Sequence, residues 1–262
     1  MNGCRSSFLK FFGFRLLVSA LALLSFIVLI AVSPVKSFAQ SDKIPGMSLG
    51  SFKVGSSGGA SYSLPIIVPP GVNGLQPKLM LSFDSQSGNG LLGMGWALEG
   101  LPVIQRCRAS KAQDGYMGGI NFDAKDRFCL EGSRLTALVD NTDGGDGTEY
   151  RTELDTSVRV WSYGVAGSGP AYFIVKNKTG EILEFGNTPG SRIEAQGKTS
   201  VRVWALNEIT DASGNYLTVT YTEDSTNGDY RPLRIDYTGN AGLATQRKVG
   251  QIRGRLGSGL HR

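Results

Sequence analysis

The chain has 262 residues, 40% of them hydrophobic and 19% charged, enough for one or two domains with a sizeable core. Its formal charge of +5 sits at the two ends, in Arg5, Lys10, Arg15 and Lys36 and again in Arg247, Lys248, Arg253, Arg255 and Arg262; the body between holds more acids than bases. A net-acidic body lacks the clustered cations that nucleic acid requires, so no nucleic-acid partner is expected.

The first segment reads as an export signal. Residues 16–32 run almost entirely apolar behind Arg5, Lys10 and Arg15, and Ser37 and Ala39 stand where a signal peptidase reads small side chains. Cleavage before Gln40 would remove residues 1–39 as a signal peptide. The apolar run also approaches the ~18 residues of a spanning helix, so an uncleaved anchor is the other reading. Either way the body is exported, and membrane contact is expected only through this segment.

Residues 40–60 are rich in Gly and Ser and are expected to form a flexible lead-in. A β domain is expected over residues 61–238. Residues 61–68 (SYSLPIIV) stop at Pro69-Pro70-Gly71, and residues 78–83 (KLMLSF) alternate with the period of a half-buried strand. Ser87-Gly88-Asn89-Gly90 reads as a turn before a glycine-spaced run to Trp96. Further strands are expected at 158–162, 172–176, 182–185, 201–206, 216–221 and 233–237, separated by turn signals such as Thr179-Gly180 and Asn227-Gly228. Short strands at this spacing predict an all-β, multi-stranded antiparallel module, and no helix of three turns is expected after Ser41. Residues 177–185 and 207–221 share one strand–turn–strand plan, which predicts hairpins side by side. Residues 239–262 are basic and Gly-rich without an acid, and are expected to be a disordered tail at a truncated end.

Little in the sequence points to chemistry. Cys4 leaves with the signal, so Cys107 and Cys129 remain as an even pair in a compartment that permits disulfides. A structural bridge between them closes a loop of about 20 residues and stabilises by roughly 3 kcal/mol; two buried free thiols are the alternative. His261, the one histidine, leaves no Ser-His-Asp or Cys-His arrangement, and there is no H-E-x-x-H, zinc cluster or P-loop. No spacing pairs two carboxylates for acid–base work. No catalytic, cofactor-binding or metal-binding residue, and no cofactor, is therefore expected. Residues 140–149 are oxygen-rich, but their carboxylates fall three apart where a calcium loop uses alternate positions, so a solvated loop is expected. A G-x-G-x-x-G string spans Gly88, Gly90 and Gly93, yet a Gly-broken stretch follows where a dinucleotide site needs a helix. It reads as a tight corner with Trp96 in the core, and Trp161 and Trp204 are expected in the core as well.

The order of these short motifs carries a resemblance. Gly59-Ala60-Ser61-Tyr62-Ser63-Leu64-Pro65-Ile66, then Gly74-Leu75-Gln76-Pro77-Lys78-Leu79, then Gly88-Asn89-Gly90-Leu91-Leu92-Gly93-Met94-Gly95-Trp96 resemble the N-terminal domain of the Salmonella virulence plasmid B protein (SpvB) family, shared with insecticidal Tc toxin B subunits. Cys107-Arg108 and Asp126-Arg127-Phe128-Cys129-Leu130-Glu131-Gly132 extend it in the form found in exported Rhs/YD-repeat proteins. The resemblance covers roughly residues 47–240. It implies a secreted, non-catalytic part of a hollow β-shell that encloses or delivers a C-terminal toxin, with host cytoplasm as the destination of delivered members. Its implied partners are the remaining shell or Rhs segments, or other toxin-complex subunits. The family's ADP-ribosylating activity is implied to lie in a separate C-terminal domain, so no catalytic residue carries over. The alternative is an extracellular β-domain that binds a cell-surface carbohydrate or protein, with calcium around residues 140–149.

Overall fold

The computed structural model describes residues 50–140, 142–154, 157–242 and 250–253. The export segment lies outside the described residues.

The chain begins with six short strands: Ser51–Val54 (β1), Ala60–Ile66 (β2), Leu79–Asp84 (β3), Asn89–Gly90 (β4), Gly93–Met94 (β5) and Trp96–Glu99 (β6). Strands β1, β2, β3 and β6 form one antiparallel sheet in that order, while β4 and β5 make a separate small hairpin. Alternation sorts the two faces of the larger sheet. Tyr62, Phe83 and Trp96 sit opposite one another across three strands, as do Leu64, Leu81 and Leu98. Ser61, Ser63 and Ser82 fall on the other face by the same period of two. Strand β1 lies inside the stretch expected to be a flexible lead-in. Ser-Phe-Lys-Val alternates, and the turn of residues 55–59 returns the chain so that Val54 pairs with Ala60. Gly58 takes φ +78° there, a conformation that glycine adopts at little cost.

The second part contains Val103–Cys107 (β7), a four-residue helix Lys111–Asp114 (α1), Arg127–Leu130 (β8), Ser133–Ala137 (β9), Glu149–Thr152 (β10), Arg159–Tyr163 (β11), Tyr172–Lys176 (β12) and Ile182–Phe185 (β13). Arg192–Glu194 (β14), Val201–Thr210 (β15), Asn215–Asp224 (β16), Asp229–Asn240 (β17) and Gly250–Arg253 (β18) follow. Strands β7 to β13 pair in chain order, and β15 pairs with both β7 and β13. Among the described residues, eight antiparallel strands thus close into a barrel. The two similar segments noted in the sequence are the β12–β13 and β15–β16 hairpins, and they are neighbours through the β13–β15 ladder.

A barrel of eight strands has an interior that side chains can just fill. Each strand here supplies at least one nearly solvent-free residue: Ile104, Phe128, Leu135, Tyr150, Val160, Phe173, Phe185 and Trp204. Phe128, Phe173 and Trp204 meet edge-to-face with ring centroids 5.1–5.4 Å apart, the arrangement that ring quadrupoles favour. Each such burial contributes roughly 1.5–3 kcal/mol from area alone. Gly186, with φ +74°, lets the chain turn over Trp204; a Cβ there would lie 2.4 Å from the indole Cδ1.

Strand β15 is long enough to serve two neighbourhoods. Its first half pairs with β14 on one edge and β7 on the other, and its second half with β13 and β16. The sheet then continues away from the barrel through β16, β17 and β18. The root of the β16–β17 hairpin buries Leu217, Val219, Ile235 and Tyr237 in the main core together with Leu75 and Leu79. The tip of that hairpin folds toward β14, where Tyr221 and Tyr230 cover Ile193, Val203 and Ala205. Strand β18 falls within the expected disordered tail and pairs with β17 from Tyr237↔Gly250 to Arg234↔Arg253. An open strand edge presents a row of unpaired N–H and C=O groups, and a neighbouring segment satisfies them whatever its composition.

Candidate functional site

The most constrained polar feature is built from a β7 residue. Arg106 points inward where a strand residue of that period must, and its side chain is 1% exposed beside the fully buried Asp126. Its guanidinium donates to an Asp126 carboxylate oxygen at 3.0 Å, to the Val201 carbonyl at 2.6 Å and to the Ser168 carbonyl at 3.2 Å. It also lies 5.7–5.9 Å from the ring centroids of Phe122, Phe128 and Trp204. Asp126 accepts the backbone N–H groups of Asn121 and Phe122, each at 2.8 Å. This arrangement fastens the loop before β8 to β15 and to the β11–β12 connection. It leaves the guanidinium no free donor direction for a substrate, so it serves architecture.

A second cluster joins α1 to β8 and β9. Asp114 accepts Arg127 at 2.8 Å, Arg134 at 2.6 Å and the Ser110 N–H at 2.8 Å. Burial works against its charge, but the Ser110 N–H and the two arginines prevail and hold its carboxyl below the usual range. Asp143 lies 3.8 Å from Arg127, and burial pushes its carboxyl up. Around residues 140–149 the acids turn to different partners: Asp143 to Arg127, Asp146 to the Gly164 N–H, and Glu149 to Arg151 and Arg159. They do not converge on a common point as calcium ligands must. Among the described residues no group of three His, Cys, Asp or Glu is placed to hold a metal ion.

Two of the three tryptophans differ from expectation. Trp204 is fully buried, but Trp96 is half-buried against Phe83 on the small sheet, at 5.3 Å between centroids. Trp161 lies on the outer barrel face between Arg159 and Lys176, whose charges stand 5.0 and 5.6 Å from its ring. Val160 and Ser162 take the inward places on β11, so the period of two turns Trp161 outward. The G-x-G-x-x-G string forms the β4–β5 hairpin, where a Cβ at Gly90 would lie 2.2 Å from the Trp96 carbonyl oxygen. Cys107 and Cys129 are joined across β7 and β8 with their Cα atoms 5.9 Å apart, within the range a disulfide spans.

Sequence spacing missed one pairing of carboxylates. Glu194 of β14 donates its N–H to a carboxylate oxygen of Glu223 on β16 at 3.2 Å, and the two carboxyl groups are within hydrogen-bonding reach. The residues are far apart in the chain, and the contact arises because the hairpin tip folds back on β14. No local motif announces it.

With this geometry in view, the comparisons with known proteins are decisive about family. The model of the Salmonella virulence plasmid 65kDa B protein family matches residues 54–253. The chain belongs to that family. Its SpvB-family match begins in β1 and ends in β18, so it takes in the small sheet, the barrel and the outer hairpin together. Among curated proteins, mono(ADP-ribosyl)transferase SpvB of Salmonella typhimurium is 23% identical over 208 residues, as is its counterpart from Salmonella dublin. The alignment covers 71% of this chain and 32% of that relative, so this chain spans about a third of the relative's length. Among solved structures, the crystal structure of TcdB2-TccC3 superposes with a TM-score of 0.58 at 20% identity, over 77% of this chain and 11% of that one. A Photorhabdus luminescens Tc holotoxin pore structure gives 0.56 at 18% identity, with the same coverage. The SpvB-family chain therefore shares the fold of a segment of much larger toxin assemblies.

Proposed function

We propose that this chain is a non-catalytic wall module of a secreted toxin-type β-shell, which pairs with further shell segments or with other subunits of a toxin complex. The observation that carries the reading is the outward continuation of a closed, filled barrel into open sheet. Among the described residues strand β18 ends one sheet and β1 ends the other, and on β1 Phe52 and Val54 are 65% and 62% exposed. A folded unit that keeps hydrophobic strand edges is built to be continued by another strand. The barrel interior is occupied by side chains, which favours a wall over a ligand-carrying lumen. The transferase activity in the relative's name concerns a longer protein, of which the match to this chain covers only 32%.

The isolated chain is expected to self-associate through these edges. Sedimentation velocity should show a broad distribution of oligomers, and Phe52→Lys with Val54→Lys should shift it toward monomer by charging the edge. A wild-type chain that sediments as one sharp monomer species would defeat the wall reading.

The Cys107–Cys129 bridge belongs to the same proposal as an exported module's staple between β7 and β8. Reducing it, or substituting Cys107→Ser with Cys129→Ser, is expected to lower the unfolding free energy by about 3 kcal/mol. Urea melts with and without reductant measure this, and coincident melts would remove the bridge from the account.

A further inference from the structure

The Glu194–Glu223 pair takes no part in the barrel wall, and its position is unusual. It sits where the last turn of the β16–β17 hairpin closes over β14. The contact area beneath is small: Ile193, Val203 and Ala205, covered by Tyr221 and Tyr230. A further polar fastener is Arg202 of β15, which donates to the Gly228 carbonyl at 2.8 Å. On the far side, Glu223 sits opposite Tyr230 in the β16–β17 ladder.

We propose that Glu194 and Glu223 form a proton-controlled latch that closes the hairpin tip over β14 when they share a proton and loosens it when both are ionised. The geometry is that of two carboxyl groups held together by a docking contact, one of them also receiving the other's backbone N–H. Like charges at such range cannot both ionise without repulsion, and one proton between them converts the repulsion into a hydrogen bond.

Among the described residues no cation acts on the Glu223 carboxyl; Arg192 stands two residues before Glu194 on the same face of β14, and Glu131 acts on Tyr230. Of the groups packed around the pair, Tyr221 donates its hydroxyl to the Leu206 carbonyl at 2.7 Å, and burial pushes the phenols of Tyr221 and Tyr230 up, so both stay neutral. Arg202 acts on Tyr230, Arg231 acts on Asp224, and Asp229 lies beyond Tyr230. Burial, and then the hydrogen bond and charge of Glu194, push the Glu223 carboxyl up to about 7 from an ordinary 4.5. The docked tip holds its proton more tightly than the undocked tip, so docking is fully favoured below the undocked value and weakens as pH rises to the docked one. The window is therefore about pH 4.5 to 7. Above it the tip loosens and exposes the Ile193, Val203 and Ala205 patch, which becomes available to a neighbouring strand.

Hydrogen exchange of the full chain, followed by mass spectrometry and corrected for intrinsic rates, tests this. Peptides spanning 219–233 and 192–197 should lose protection by up to about tenfold per pH unit between pH 5 and pH 7 and then level off, the limit for one proton. Barrel peptides spanning 172–185 serve as the internal reference and should not follow. Glu223→Gln should keep the tip protected at every pH, because a neutral amide can donate to Glu194 without charge. Glu194→Gln should behave the same way and serves if the first variant folds poorly. Tip protection that is flat with pH in the wild type, or that falls equally in both variants, overturns the latch.

Discussion

Replacing Trp204 by alanine is expected to cost about 3–5 kcal/mol, a large share of the roughly 5–15 kcal/mol that most domains hold in reserve. Three losses coincide at this residue. The indole is fully buried, so its removal opens a large cavity and takes away the edge-to-face contacts that Phe128 and Phe173 make with it. Its Nε1–H donates to the Pro170 carbonyl at 3.0 Å, and alanine leaves that buried acceptor without its partner. The ring is also a wall of the Arg106 pocket, 5.7 Å from the guanidinium. Urea unfolding followed by circular dichroism checks the value. Trp204→Phe should recover part of the loss, since it refills the cavity but not the hydrogen bond. By contrast Trp161→Ala, on the outer face, should cost far less, so the two substitutions separate core from surface tryptophan.

The second large effect is expected at the Arg106–Asp126 pair. Asp126→Ala should destabilise by about 3–5 kcal/mol, because it leaves a buried guanidinium without its counter-charge. It also strips the Asn121 and Phe122 N–H groups of their acceptor. Removing both charges with Arg106→Met and Asp126→Leu should cost less than the sum of the two single changes, since no lone charge remains. It should still not reach wild type, because the Val201 and Ser168 carbonyls lose their donor. A double-mutant cycle in urea measures the coupling. Raising salt should barely alter it, since a pair 0–1% exposed is shielded from bulk ions. A single Asp126→Ala chain as stable as wild type would show that the loop before β8 does not rest on this pair.

The arginine also explains why the family's Cys107-Arg108 to Asp126-Arg127-Phe128-Cys129 stretch holds together. Arg106 and Asp126 lie one residue before Cys107 and three before Cys129, so the ion pair and the cysteine bridge tie the same two strands within a few residues of each other. The remaining loop between them carries Phe122 over the guanidinium and α1 with Asp114.

Much of this architecture was readable in advance because strand signals are local. Period-two alternation at 78–83, β-rich runs such as 172–176 and 201–206, and Gly-containing turns at 179–180 and 227–228 placed β2, β3, β11 to β13 and β15 to β17 and predicted an all-β antiparallel module, but they did not place β7 to β10 or β14, half of the barrel among them. The same local signals linked residues 177–185 with 207–221 as neighbouring hairpins. The motif from Leu64 to Trp96 marks the family by its residues alone. Local signals failed where pairing supplies the order. Strands β1 and β18 lie in stretches whose Gly, Ser and basic composition reads as flexible, and each is held by hydrogen bonds to an adjacent strand. Hydrophobic character alone also could not choose sides for Trp161 or Trp96, because a strand has two faces and only the register says which one meets the core.

What the sequence by itself determined is thus the class of structure, its turns and its kinship, since each depends on residues close together in the chain. Only the tertiary structure decided the closure of the barrel through β13 and β15, the burial of Arg106 against Asp126, and the meeting of Glu194 with Glu223. Those contacts bridge distant parts of the chain: the barrel closes because a twisted sheet curls until its first and last strands satisfy each other's hydrogen bonds, and the two glutamates meet because the hairpin tip folds back on β14.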